Sequence, residues 1–227
     1  MSDSTLFVFP KWSNKATVGI LLAVLLVPLY LGGLLAYAAN PYTLNLGYQP
    51  VQPVPYSHAL HVGKLGLDCR YCHTTVEDAA WAAVPSADIC MNCHKMIWTN
   101  STKLTPVFES YATGKPVPWV TVYDLPDYVY FNHAAHVNAG VSCVECHGQV
   151  NEMEVMHTVT PLNMAWCISC HRDPAPHIRP RDQVTNLNWK PPVAAGESLA
   201  EAKRKLGERL MRQYHINPNT DCVTCHR

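Results

Sequence analysis

The sequence predicts a mainly α-helical and irregular chain with little sheet. One N-terminal transmembrane helix precedes a domain whose core is not built from its own side chains. Three observations carry this expectation. Residues 16–39 contain no charged side chain. All ten cysteines fall in five copies of one short motif. The remainder is spread thinly between those motifs and carries most of the 18 prolines, which suit loops and short helices better than long regular elements.

The uncharged stretch is 24 residues of mostly Leu, Val and Ala. As a helix it would reach about 36 Å, enough for a bilayer core. Lys11 and Lys15 precede it, and no Lys or Arg follows until Lys64. That asymmetry places residues 1–15 on the cytoplasmic side and the rest outside. Ala36-Tyr37-Ala38 has the form of a signal-peptidase site, but the apolar stretch exceeds the roughly 7–15 residues of a signal core, so an uncleaved anchor is expected. Phe7, Phe9 and Trp12 are expected at one interface, and Tyr30, Tyr37 and Tyr42 towards the other. Pro28 is a potential kink.

The motifs are Cys69-Arg-Tyr-Cys72-His73, Cys90-Met-Asn-Cys93-His94, Cys143-Val-Glu-Cys146-His147, Cys167-Ile-Ser-Cys170-His171 and Cys222-Val-Thr-Cys225-His226. Cys-x-x-Cys-His is the attachment signature of c-type haem: two thiols form thioethers and the adjacent imidazole binds the iron. Zinc and thiol redox sites use Cys-x-x-Cys without requiring that histidine. With 12 His in 227 residues, His after all five pairs by chance is on the order of one in a million. Five c-type haems are therefore expected. Residues 57–227 then supply too little chain per porphyrin to bury a conventional core, so the porphyrins become the core.

Composition narrows the function further. The 17 basic and 17 acidic residues balance, which removes the basic excess that nucleic-acid binding needs. Haem propionates would make the loaded protein acidic, near −5 oxidised and near −10 reduced in rough terms.

Beyond the membrane segment, residues 40–56 read as a proline-rich tether, and residues 57–227 as the haem domain. That domain contains an internal repeat. Tyr56-Ser-His58-Ala-Leu-His61 precedes Cys69, and Phe131-Asn-His133-Ala-Ala-His136 precedes Cys143. The first motifs of the two modules are offset by 74 residues and the second by 77, so the chain reads as modules 57–96 and 131–180 plus a terminal haem segment 197–227. Residues 97–130 read as an insertion with extended character around 117–130. Ser198 and Glu201 form a capping box, and Leu199, Leu206, Leu210 and Tyr214 follow helical spacing.

Each iron needs a second axial ligand unless it binds substrate. After the five proximal histidines, His58, His61, His133, His136, His157, His177 and His215 remain. In His-x-x-His both imidazoles lie on one side of a helix, so they can close two neighbouring irons. The expected assignment is His58 to the Cys69 haem, His61 to the Cys90 haem, His133 to the Cys143 haem, His136 to the Cys167 haem and His177 to the Cys222 haem. His157, His215, Met153 and Met164 are the alternatives, and a Met ligand would raise the potential of its haem.

The modules resemble class III multihaem cytochromes c. More specifically, the chain resembles the pentahaem cytochrome subunit of bacterial alternative complex III, a quinol:acceptor oxidoreductase. The resemblance rests on Val8-Phe-Pro-Lys-Trp12, on GYQPVQPVPYSHALHVGKLGLDCRYCH from Gly47 to His73, on YVYFNHAAHVNAGVSCVECHG from Tyr128 to Gly148, and on the segment Trp166 to Pro180. It implies a single N-terminal membrane helix and a periplasmic haem domain. It also implies an assembly with an iron–sulfur subunit, polytopic membrane subunits that handle quinol, and another c-type cytochrome. His177 belongs to the similar stretches, whereas His157 and His215 do not.

The expected role is a non-catalytic electron-transfer subunit, relaying electrons from a quinol-oxidising complex of the bacterial inner membrane to a periplasmic acceptor. A free-standing multihaem quinol dehydrogenase would need an acid or base near the membrane, and residues 40–57 contain no Asp, Glu, Lys or His. A multihaem reductase would need an open iron, and the histidine surplus leaves none obviously unfilled.

Overall fold

The computed structural model describes residues 9–40 and 45–226. Phe7 and Tyr42 lie outside the described residues. The chain divides into two units at the boundary between residues 44 and 45.

The first unit is helix α1, Trp12–Ala38. It begins four residues before the uncharged stretch because Trp12 to Lys15 continue the same turn. Ser13 Oγ donates to the Pro10 carbonyl at 2.8 Å, and Thr17 Oγ1 donates to the Ser13 carbonyl at 3.0 Å. At 27 residues α1 is about 40 Å long. Among the described residues it is the one helix long and apolar enough to cross a membrane. Pro28 sits inside it and the helix continues past it.

The second unit is helical and irregular, with no sheet. Its one β-type pairing among the described residues is an isolated antiparallel bridge between Val141 and Ile178. Every Cys-x-x-Cys lies on a short helix. These are α2 (Cys69–Cys72), α3 (Ala87–His94), α6 (Cys143–His147), α7 (Met164–Arg172) and α9 (Cys222–Cys225). One helical turn puts residues i and i+3 on the same face, so each thiol pair points one way and the following histidine is carried beside it. Turns this short do not hold themselves, and three of the five are capped by a side chain. Asp68 accepts from the Arg70 N–H, Ser142 from Val144 and Asn163 from Trp166.

The stretch leading into the first module is not a free tether. Gln52 donates to the Val120 carbonyl at 2.8 Å and accepts from the Val120 N–H at 3.0 Å, and Gln49 donates to the Val155 carbonyl. Val54 is buried with Ala87, Leu104 and Val107. In the insertion the sequence patterns indicated no helix, yet α4 (Thr105–Thr113) forms after a 3₁₀ turn and ends at Gly114, whose φ of +71° suits glycine. Val107 buries α4 against α3. The helix α5 (His133–Asn138) carries the second His-x-x-His, and a π-helical turn at Ala59–Lys64 follows His58 in the first.

Helix α8 (Leu199–Tyr214) has the expected capping box, with Ser198 and Glu201 each satisfying the other's backbone N–H. It docks through Gly207, where a Cβ would overlap the Ala175 carbonyl oxygen. Only about a dozen apolar side chains are buried among the described residues, in scattered groups such as Val54, Leu104 and Val107, and Ala202 and Leu210. So thin a core for a unit of this length matches a fold organised around groups other than its own side chains.

Candidate haem-binding sites

The two His-x-x-His turns are built alike. In the first module, Tyr56 meets His58 edge-on at 4.8 Å and 85° and stacks on His61 at 4.4 Å and 21°. In the second, Phe131 meets His133 edge-on at 4.8 Å and 87° and stacks on His136 at 4.5 Å and 27°. One aromatic ring therefore sets the planes of both imidazoles. Sequence reading noted this aromatic as part of the repeat but assigned it no task. Its recurrence two residues before the first His in both modules was the signal.

These imidazoles face the histidines of the attachment motifs. His61 stands 6.3 Å from His94, His133 6.4 Å from His147, and His136 6.0 Å from His171, between ring centroids. An iron with two imidazole nitrogens at about 2 Å, each ring centre about 1 Å further out, requires roughly 6 Å between centroids. The residues present thus fit a six-coordinate haem iron at three motifs. For a fourth, His58 lies within electrostatic reach of His73.

Seven outer nitrogens agree with this use, whereas Nδ1 of His58 and of His147 is buried without a hydrogen-bond partner. Nδ1–H donates to a backbone carbonyl in His61 (Ser57, 2.8 Å), His73 (Ala83, 2.8 Å), His94 (Ile97, 3.2 Å), His133 (Ala80, 2.9 Å) and His136 (Asn132, 2.7 Å). His171 donates to Asn219 at 2.7 Å and His226 to Tyr128 at 3.1 Å. A carbonyl on Nδ1 fixes the tautomer and leaves Nε2 as the lone-pair donor, the usual outer support of a metal-bound histidine. Several of these carbonyls are far away in sequence, which is why residue spacing could not reveal them.

Burial favours the neutral form at three of these histidines. It pushes His58 down to about 4, with the nearby His73 and His61 adding to the effect, and it pushes His147 down to about 4, helped by His133, His73 and His58. Burial also lowers His136. A neutral imidazole is the form that binds iron. Among the described residues, no three His, Cys, Asp or Glu side chains gather as a bare metal ion would need. The donors come instead as opposed imidazole pairs beside thiol pairs, the donor set of c-type haem.

The fifth motif is built differently. The Tyr130 N–H donates to the Cys225 carbonyl at 2.8 Å, and the Tyr128 ring lies 5.8 Å from His226. Among the described residues no ring contact joins His226 to His177. The His177 ring is held by Glu145, its Nδ1–H donating to Oε2 at 2.7 Å. The other Glu145 oxygen lies 3.5 Å from the buried Arg179 guanidinium, which donates to the Asn186 carbonyl and lies over Trp189. Burial raises the Glu145 carboxyl, but His177, Lys203 and Arg179 outweigh it and the group ends below its ordinary value. Of the alternatives, Met153 is buried and Met164 is exposed. His157 donates to the Val155 carbonyl at 3.3 Å, and His215 caps α8 in the left-handed region at φ +56°.

Short capped Cys-x-x-Cys-His helices with opposed imidazoles define a multihaem c-type cytochrome. No protein-family model matches the chain. It is 35% identical over 184 residues to the "Menaquinone reductase, multiheme cytochrome c subunit" of Nitratidesulfovibrio vulgaris (strain Hildenborough), a match that covers 79% of this chain and 78% of that one. The chain belongs to the multihaem cytochrome c subunits.

Proposed function

We propose that this chain is an electron-transfer subunit holding five c-type haems for a quinone-linked membrane complex. The single observation that carries the reading is the set of opposed imidazole pairs 6.0–6.4 Å apart at the Cys90, Cys143 and Cys167 motifs. In this reading the ten cysteines hold the porphyrins, and His73, His94, His147, His171 and His226 are the proximal ligands. His58, His61, His133 and His136 close the Cys69, Cys90, Cys143 and Cys167 sites. His177 is assigned to the Cys222 site; the Glu145 carboxylate on its Nδ1 leaves Nε2 as the donor.

Bound haem supplies one-electron redox chemistry at each site. The chain's own part is positioning. Tyr56 and Phe131 lock ring planes, backbone carbonyls fix tautomers, and two imidazoles per iron would deny small molecules an open coordination position. A reductase of nitrite or hydroxylamine needs that open position, which disfavours it. Helix α1 would anchor the chain in the cytoplasmic membrane with the haem unit on the periplasmic side. Partners would be an iron–sulfur subunit, polytopic quinone-site subunits and a second c-type cytochrome, in an assembly of the alternative complex III kind.

Two directions of flow fit these parts. The resemblance to alternative complex III implies electrons leaving quinol for a periplasmic acceptor. The relative's name implies electrons entering menaquinone. Haem count and direction are both measured on the intact membrane complex. Pyridine haemochrome per chain is expected to give five. Mixing the oxidised complex with menaquinol, and the reduced complex with menaquinone, shows which couple moves electrons. A complex whose haems respond to neither quinone nor quinol overturns the reading.

A further inference from the structure

The order of the five attachment sites in space is written in contacts that join them two by two, and it differs from their order in the chain. The Cys69 and Cys90 sites are adjacent because His58 and His61 share one turn and one aromatic, Tyr56. They are also joined directly, since the Asn92 side chain donates to the Tyr71 hydroxyl at 3.0 Å, linking the two motifs' intervening residues. The Cys143 and Cys167 sites are adjacent for the same reason, through His133, His136 and Phe131.

The modules meet directly where His133 and Ala134 donate to the Ala80 and Ala79 carbonyls, and the Cys69 and Cys143 helices are tied together by a pair of consecutive residues. The cap of α6, Ser142, is fully buried and donates to the Val184 carbonyl at 2.6 Å. The cap of α2, Asp68, accepts from the Thr185 hydroxyl at 2.8 Å. Residues 184 and 185 thus hold the first turns of α2 and α6 side by side. The Cys69 site, not the later Cys90 site, therefore abuts the second module. At the far end, the carbonyl of Asn219, just before the Cys222 motif, accepts from the His171 Nδ1–H at 2.7 Å.

We propose that the sites form one unbranched row in the order Cys90, Cys69, Cys143, Cys167, Cys222, with the Cys69 and Cys143 helices tied together by residues 184–185 and the Cys90 and Cys222 sites at its ends. This rests on the haem-binding reading above. Electrons that enter at one end of a row and leave at the other use every site, and Cys93 and Cys222 of the two end motifs are exposed, so the row assigns the Cys90 and Cys222 sites to the two external partners.

The order is tested by a density map of the intact complex, which locates each iron. The Cys90 iron should have the Cys69 iron as its nearest neighbour, and the Cys69 iron should have the Cys143 iron as its second. A Cys90 iron nearest to the Cys143, Cys167 or Cys222 iron overturns the order. A map with porphyrins at fewer than five motifs refutes the haem count instead, so the two failures are distinguishable. A solution test uses a ruthenium photosensitiser on Thr220→Cys, with His61→Met marking the Cys90 haem by its His/Met absorption. Removing the Cys69 haem by Cys69→Ala with Cys72→Ala should abolish arrival of the photoelectron at the marked haem on the time scale of the parent protein. Unchanged arrival overturns the order, and if that variant does not fold, the map decides.

Discussion

The rings of His133 and His147 lie within 7° of parallel with 6.4 Å between their centroids. No hydrogen bond joins two rings at that distance; it is the separation that an iron between two nitrogens requires. His133→Ala should therefore leave the Cys143 iron with one imidazole and convert one haem in five to a high-spin form that binds carbon monoxide. His136→Ala should do the same at the Cys167 haem. Magnetic circular dichroism and carbon monoxide titration count the opened sites, and the expected stoichiometry is one per chain for each variant. Retention of all low-spin haems in His133→Ala would refute the assignment.

Phe131 touches both of these rings, edge-on to His133 and stacked on His136. Aromatic contacts of this kind contribute about 0.5–1.5 kcal/mol each beyond burial. Phe131→Ala should loosen two imidazoles at once, broadening two sets of low-spin signals in electron paramagnetic resonance while haem content stays unchanged. Phe131→Tyr keeps the ring and should behave as the parent does. Broadening confined to one haem would show that the ring supports only one ligand.

Gly207 marks where α8 rests on the chain just after α7. A Cβ there would overlap the Ala175 carbonyl, a backbone atom that cannot rotate aside. Gly207→Ala should lower stability by about 1–3 kcal/mol or more, the usual cost of overpacking, despite alanine's better helix propensity. Thermal unfolding of the holoprotein measures it. Gly66→Ala, at a position open to space with φ of +70°, probes backbone strain without that clash.

Asp68 is held at about 2, chiefly by the Arg70 side chain, with the Arg70 N–H and the Thr185 hydroxyl also favouring the carboxylate. Its folded value lies below its ordinary 3.8. The carboxylate therefore contributes stability that is present above about pH 4 and lost as pH falls through about 2. The pair is partly exposed, so the effect is modest and screened by salt. Acid unfolding should show the parent losing stability over that window, and Asp68→Asn should lose less. An identical acid profile in the two proteins would show that Asp68 does not tie α2 to Thr185 in solution.

Much of this was legible in residue order because the determinants are local. A helical turn fixes Cys i and i+3 on one face, so the attachment motifs are readable as motifs. An uncharged run longer than a bilayer core announces α1. Ser198 and Glu201 announce the start of α8. Local rules failed where burial, not propensity, decided the outcome. Helix α4 forms at Thr105–Thr113, where residue spacing gave no helix signal, because Val107 gains a partner in α3, and Val54 packs into the same group.

The sequence by itself determined which side chains are candidates to hold haem and that the two imidazoles of each His-x-x-His turn lie on one side, since both follow from spacing along a few residues. Only the tertiary structure decided which imidazole faces which, that Tyr56 and Phe131 orient them, and that Val184 and Thr185 bring the Cys69 and Cys143 helices together. The two contacts that bring those helices together join residues 42 and 117 positions apart, and no local spacing encodes a contact whose partner is chosen by packing.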